Sequence, residues 1–171
     1  TLRGHVLGLD LSLRDDTDTT EAESALMDKI LEESLDAGYL GLSINTLPWD
    51  KMDGTEHRSK PTPSVFATWK EYRRLMQVLR RRERVLQGVP NLATRVNFGL
   101  FFLAATALGR KPLRTTLLAL MDPKSDRLAH RIIGGLTRLV NAVLGADVRL
   151  QALPNPFDLW TDGLENPVME E

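Results

Sequence analysis

Short apolar runs alternate with capped amphipathic segments along the whole chain. The runs cover residues 6–11, 39–44, 85–89, 115–121 and 148–153, each bounded by turn formers. A short apolar run that lacks polar–apolar alternation reads as a strand covered on both faces, the usual state of a parallel sheet. No tight Asn-Gly or Asp-Gly hairpin joins neighbouring runs; Asp53-Gly54 lies inside a long loop over 45–63. Strand and helix therefore alternate as βα units.

The helix signals are local. Thr20-Glu21-Ala22-Glu23 is a capping box, in which hydroxyl and carboxylate satisfy each other's free amides. Ala22, Leu26, Ile30 and Leu31 follow as one apolar face, and Gly38 is placed to end the helix. Thr68-Trp69-Lys70-Glu71 repeats the box ahead of Tyr72, Leu75, Met76 and Leu79. Asn97 caps a nearly all-apolar helix over 98–108, which needs cover on every side. Ser125 caps a longer one with the stripe Leu128, Ile132, Leu136, Leu139, Val140 and Val143, closed by Gly145.

Spacing leaves two architectures. Most run-to-run intervals are close to the ~30 residues that each unit of a (β/α)8 barrel occupies. Five units cannot close eight strands, so the chain is either consecutive βα units of an incomplete (β/α)8 TIM barrel or an open doubly wound five-stranded parallel sheet. At 171 residues it is expected to be a single domain, partial in the barrel case. Thr1-Leu2-Arg3-Gly4-His5-Val6 carries no initiator Met and no leader pattern, which also suits a piece of a longer chain.

Composition removes several functions. Lys and Arg total 22 against 23 Asp and Glu, so bulk charge points to no nucleic acid and no membrane surface. Cysteine is absent, which removes thiolate metal sites and cysteine nucleophiles and suits a reducing, cytoplasmic location. Arg73, Arg74, Arg80, Arg81, Arg82 and Arg84 make one helix basic, read as a solvated face since no aromatics interleave. His5, His57 and His130 are the only histidines and form no metal-ligand spacing, so no metal ligand is assigned within this chain. No glycine-rich phosphate fingerprint follows any strand; Gly134-Gly135 sits inside a helix.

In both architectures ligands bind beyond the carboxyl ends of the strands. Polar residues at or beyond the ends of the runs are the candidates: Ser43 and Asn45 at the second, with Gln151 and Asn155 at the last ranking after them. The long loop, with His57-Arg58 and the rigid Pro61-Thr62-Pro63-Ser64, has the length of a lid or binding loop.

Three stretches then resemble one family. Ala37-Gly38-Tyr39-Leu40-Gly41-Leu42-Ser43 is similar to the A-G-A-L-G-[LF]-S segment of the N-acyl-D-amino-acid deacylases (D-aminoacylases) of the amidohydrolase superfamily. Thr1 to Gly8 resembles their G-H-x-x-L-R-x-x-V-M-G without its leading Gly-His, and Asp53-Gly54, Pro63-Ser64, Ala67 and Glu71 resemble a D-G…P-S-x-x-A-T-x-E-E-L stretch. The similarity covers residues 1–80 and is faint beyond.

The resemblance implies a metal-dependent barrel that hydrolyses the amide of N-acyl-D-amino acids or related C–N bonds. A divalent metal, zinc in the family, polarises the carbonyl and activates water. It implies that Ser43 stands beside the substrate pocket and that His57 and Arg58 match a loop His-Arg. The family's His-x-His and catalytic Asp have no counterpart here. The segments from Leu117 to Lys124 and from Asp147 to Pro154, placed where ligand histidines would stand, contain none. The chain alone is thus expected to bind no metal and to be inactive, while a small-molecule N-acyl amino acid is the expected partner of the parent enzyme. Self-association through the 98–108 helix is a further expectation. The rival reading is a non-catalytic α/β binding or assembly module.

Overall fold

A computed structural model describes residues 1–48, 50–90, 95–118 and 128–152. Four parallel strands, β1 (Gly41–Asn45), β2 (Val85–Val89), β3 (Arg114–Leu118) and β4 (Asp147–Gln151), form one sheet in the order β1-β2-β3-β4. Helices α4 (Trp69–Arg81), α5 (Arg95–Ala105) and α6 (Ala129–Leu144) lie between successive strands, and α3 (Glu21–Asp36) precedes β1. The α/β class with an all-parallel sheet follows as the runs suggested.

The first expected strand, 6–11, is a correction. Residues there form two short helices, α1 (Leu2–Leu7) and α2 (Leu9–Ser12). Thr1 Oγ1 accepts the Gly4 amide, and Leu2 and Val6, four apart, turn one face to the core. Gly8, at φ 78, supplies the left-handed step that divides the helices. Six apolar residues are too few for periodicity to separate strand from buried helix.

The capping box at Thr20 is present as read, and Gly38 ends α3 in a Schellman motif. The Gly38 amide reaches Leu35 O and the Tyr39 amide reaches Ser34 O. The buried face of α3 is Ser24, Met27, Leu31 and Leu35, not the row containing Ala22, Leu26 and Ile30. At Thr68 only half of the box forms. The Thr68 hydroxyl accepts the Glu71 amide at 3.4 Å, but the Glu71 carboxylate turns inward to Arg3 at 2.5 Å. Asn97 falls inside α5 rather than at its cap, Ser125 lies outside the described residues, and Gly145 closes α6 in the left-handed conformation.

The core lies on one face of the sheet. Ile44, Leu86, Leu117 and Val148 point into it, with Met27, Leu31 and Leu35 of α3, Leu75, Met76, Val78 and Leu79 of α4, Phe101, Phe102 and Ala105 of α5, and Val140 of α6. Gly88 belongs to this face, where a Cβ would stand 2.9 Å from both Leu117 and Phe101. Only glycine lets α5 approach the sheet so closely. The α4 arginines are largely neutralised by α3: Arg74 pairs with Glu21 and Asp28, Arg81 with Glu32, and Arg82 with Asp36. The outer flank of α6 is different. Leu128, Ile132, Leu136, Leu139 and Val143 run along it, each between 39% and 68% exposed. Among the described residues no helix is long and apolar enough to cross a membrane.

Candidate functional site

Side chains alternate along a strand, so the residues between the core positions share the opposite face. In parallel register Ser43 stands beside Gln87, Gln87 beside Thr116, and Thr116 beside Arg149. Ser43 Oγ donates to Gln87 Oε1 at 3.0 Å, Gln87 Nε2 to Gln151 Oε1 at 3.2 Å, and Gln151 Nε2 to Thr116 Oγ1 at 2.5 Å. These bonds tie all four strands together through uncharged polar groups. The core residues of α3, α4, α5 and α6 lie on the other face.

A concavity of about 650 Å³ opens over this polar face, bordered by Leu40, Gly41, Ser43, Gln87 and Thr116. A smaller cavity of about 240 Å³ lies at the carboxyl end of β1, with Ser43, Asn45, Asp50, Thr62, Ser64 and Tyr72 in its wall. Ser43 belongs to both. The polar sheet face, midway along β1, β2 and β3 and at the end of β4, therefore presents hydroxyls and carboxamides, groups that match the donor and acceptor of an amide.

Asn45 is at the expected place but is occupied by its own loop. Its Oδ1 accepts the Leu47 amide at 2.9 Å, and its Nδ2 donates to Asp50. The long loop is folded rather than extended. Lys51 bridges Pro61 in antiparallel fashion, Met52 and Ser59–Lys60 exchange backbone bonds, and the Thr62 amide reaches Asp50 O. His57 sits on this loop with Nε2 3.5 Å from Asp10 of α2, and its buried Nδ1 has no hydrogen-bond partner among the described residues. Neither His57 nor the exposed Arg58 lines the cavity at β1. Asn155 lies outside the described residues. The structure thus brings Ser43 and Gln151 together through Gln87, places Asn45 in the loop anchor, and sets His57 and Arg58 apart.

Gln87 and Thr116 were not singled out from the sequence. Both are polar residues inside otherwise apolar strand runs, and that interruption was the available signal. Beneath the β1 cavity Arg3 and Glu71 form a buried pair, 3% and 5% exposed. Arg3 also donates to Ser12 O and Thr17 O, so it joins α1, α2, the segment after α2, and α4. Burial pushes the Glu71 carboxyl above its ordinary value, against the attraction of Arg3. The Tyr72 phenol, which donates to Ser64 O, is raised by burial and then by the neighbouring Glu71 charge.

Among the described residues no group of three or more His, Cys, Asp or Glu side chains is placed to hold a metal ion. The carboxamides and hydroxyls of the row are not the Cys, His and carboxylate ligands of which zinc centres are built.

No protein-family model matches the chain, and no solved structure matches it significantly. Curated proteins of Mycobacterium bovis and of two strains of Mycobacterium tuberculosis, each described as an uncharacterized protein, are 47% identical to it over 172 residues. The match covers 99% of this chain and 28% of each relative, so the chain spans little more than a quarter of their length.

Proposed function

We propose that the chain is a run of consecutive βα units of a (β/α)8 barrel, and that its polar sheet face is one wall of the substrate pocket of an amidohydrolase resembling the N-acyl-D-amino-acid deacylases. The observation that carries this reading is the hydrogen-bonded row Ser43–Gln87–Gln151–Thr116 on the sheet face opposite the helix-packed core. A doubly wound sheet reverses its strand order and covers both faces with helices. The sequential order β1-β2-β3-β4 has no such reversal. In a barrel that inner face looks onto further strands, and its strand ends look onto substrate. The exposed α6 stripe supports the same reading, because the next unit of a barrel would cover it.

The chain's own groups bind and orient. A glutamine carboxamide can accept from the N–H and donate to the C=O of a substrate amide. Arg149, registered with Thr116 on the same face and 3.6 Å from Asp147 Oδ1, can turn its exposed guanidinium to the substrate carboxylate. The hydrolytic chemistry and its divalent metal, zinc by the resemblance, are assigned to other parts of the longer polypeptide. The parent is then a hydrolase of non-peptide C–N bonds, with a cytoplasmic location proposed on the missing cysteines.

The test is release of D-amino acids from N-acyl-D-amino acids by a metal-loaded longer relative, with the 171-residue chain as control. The expected result is hydrolysis by the longer protein, none by the chain, and a raised KM when the position aligned with Gln87 becomes Ala. Hydrolysis by the chain alone overturns the assignment. So does a longer protein that neither binds nor cleaves these substrates, which would leave the binding-module reading.

A further inference from the structure

On the helix side of the sheet the arginines of α4 and its C-cap divide into three kinds. Arg74, Arg81 and Arg82 are matched by carboxylates of α3. Arg80 lies on the carbonyls of Ala104, Thr106 and Lys111, where a cation favours the carboxyl end of α5. Arg73 and Arg110 have no ion-pair partner among the described residues. Both border a groove of about 300 Å³ between α4 and α5, walled by Trp69, Met76, Leu100, Leu103 and Leu108. Leu103 and Leu108 are 57% and 58% exposed there.

The chemistry of the groove is amphiphilic. Its wall is aliphatic and aromatic, and its rim carries guanidinium groups not neutralised by any described side chain. Arg110 stands close enough to Arg80 to lower its pKa by like-charge repulsion, second to burial. The volume, that of roughly ten groups the size of a water molecule at about 30 Å³ each, suits a small ligand rather than a protein helix.

We propose that the groove between α4 and α5 binds a single-chain amphiphile with an anionic head group, its tail along Leu103, Leu108 and Trp69 and its head at Arg110 and Arg73. The groove lies across the sheet from the Gln87 row, so this site stands or falls independently of the pocket proposed above.

Titration calorimetry of the chain with decanoate, decanol and decyltrimethylammonium, each below its micelle concentration, tests it. The expected result is one decanoate site, at least about tenfold tighter than either comparison ligand. Arg110→Gln should weaken decanoate by about tenfold, the factor of one charge-assisted hydrogen bond. Leu103→Asn should weaken it as well, and the shift in tryptophan emission should vanish in Trp69→Phe. Arg73, Leu103 and Arg110 are exposed, so their variants are expected to fold as the parent does, which melting curves check. Equal binding of decanol, no binding of decanoate, or decanoate binding untouched by both Arg110→Gln and Arg73→Gln overturns the proposal.

Discussion

Replacing Arg3 by Met should be among the most damaging single substitutions in this chain. Arg3 is 3% exposed and makes three hydrogen bonds, at 2.5 Å to Glu71, 3.2 Å to Ser12 O and 2.8 Å to Thr17 O. Its removal leaves a carboxylate, itself 5% exposed, without a counter-charge. Breaking a buried pair from one side costs about 3–5 kcal/mol. For a domain of this size that is a fall in Tm of roughly 6–20 °C.

The loss should depend on pH. Glu71 already sits above its ordinary value of 4.5, because burial outweighs the attraction of Arg3. Without Arg3 it rises further, and the folded state then holds the proton more tightly than the unfolded chain does. Stability therefore falls as pH climbs from about 4.5 through the raised folded pKa. Urea unfolding of both proteins at pH 7.5 and pH 4.5 should give the larger deficit at pH 7.5. The double variant Arg3→Met, Glu71→Leu should recover most of it, since apolar replacement of a buried pair is often neutral or better. A deficit below about 1 kcal/mol, or one of equal size at both pH values, would refute the reasoning.

Gly88→Ala should destabilise by about 1–3 kcal/mol in urea unfolding, because the new methyl meets Phe101 and Leu117 at 2.9 Å. Thr20→Ala removes the acceptor for the Glu23 amide and half of the capping box, and should cost about 1 kcal/mol by the same assay. Ile132→Lys with Leu139→Lys should abolish any sedimentation-detected association of the chain while leaving the melt cooperative, since both side chains are exposed. Persistent association would place the sticky surface elsewhere, with the exposed Leu103 and Leu108 around α5 the next to change.

Local signals in the sequence proved reliable where the physics is local. Thr20, Thr68, Gly38 and Gly145 mark helix ends because caps and left-handed closures involve only neighbouring residues. The 85–89 run coincides with β2. The 6–11 run failed because helix or strand there is decided by tertiary contacts of Arg3, Leu2 and Val6, not by six residues of pattern. On α3 the rows Leu26–Ile30 and Met27–Leu31–Leu35 have the same helical spacing, and only α4 and the sheet select the second.

The candidate site was half legible for a similar reason. Ser43 and Gln151 stand out as polar groups late in their apolar runs. Gln87 and Thr116 gain meaning only once register sets them side by side. Asn45 was found, yet its hydrogen bonds are taken by Leu47 and Asp50, which no spacing reveals.

The most direct test of the account is the structure of a longer relative with an N-acyl-D-amino acid bound. In that structure β1 to β4 should continue into further parallel strands, and the ligand should lie within hydrogen-bonding distance of the residues aligned with Ser43, Gln87 or Gln151. A layer of helices packed over that sheet face, with the ligand elsewhere, would contradict it.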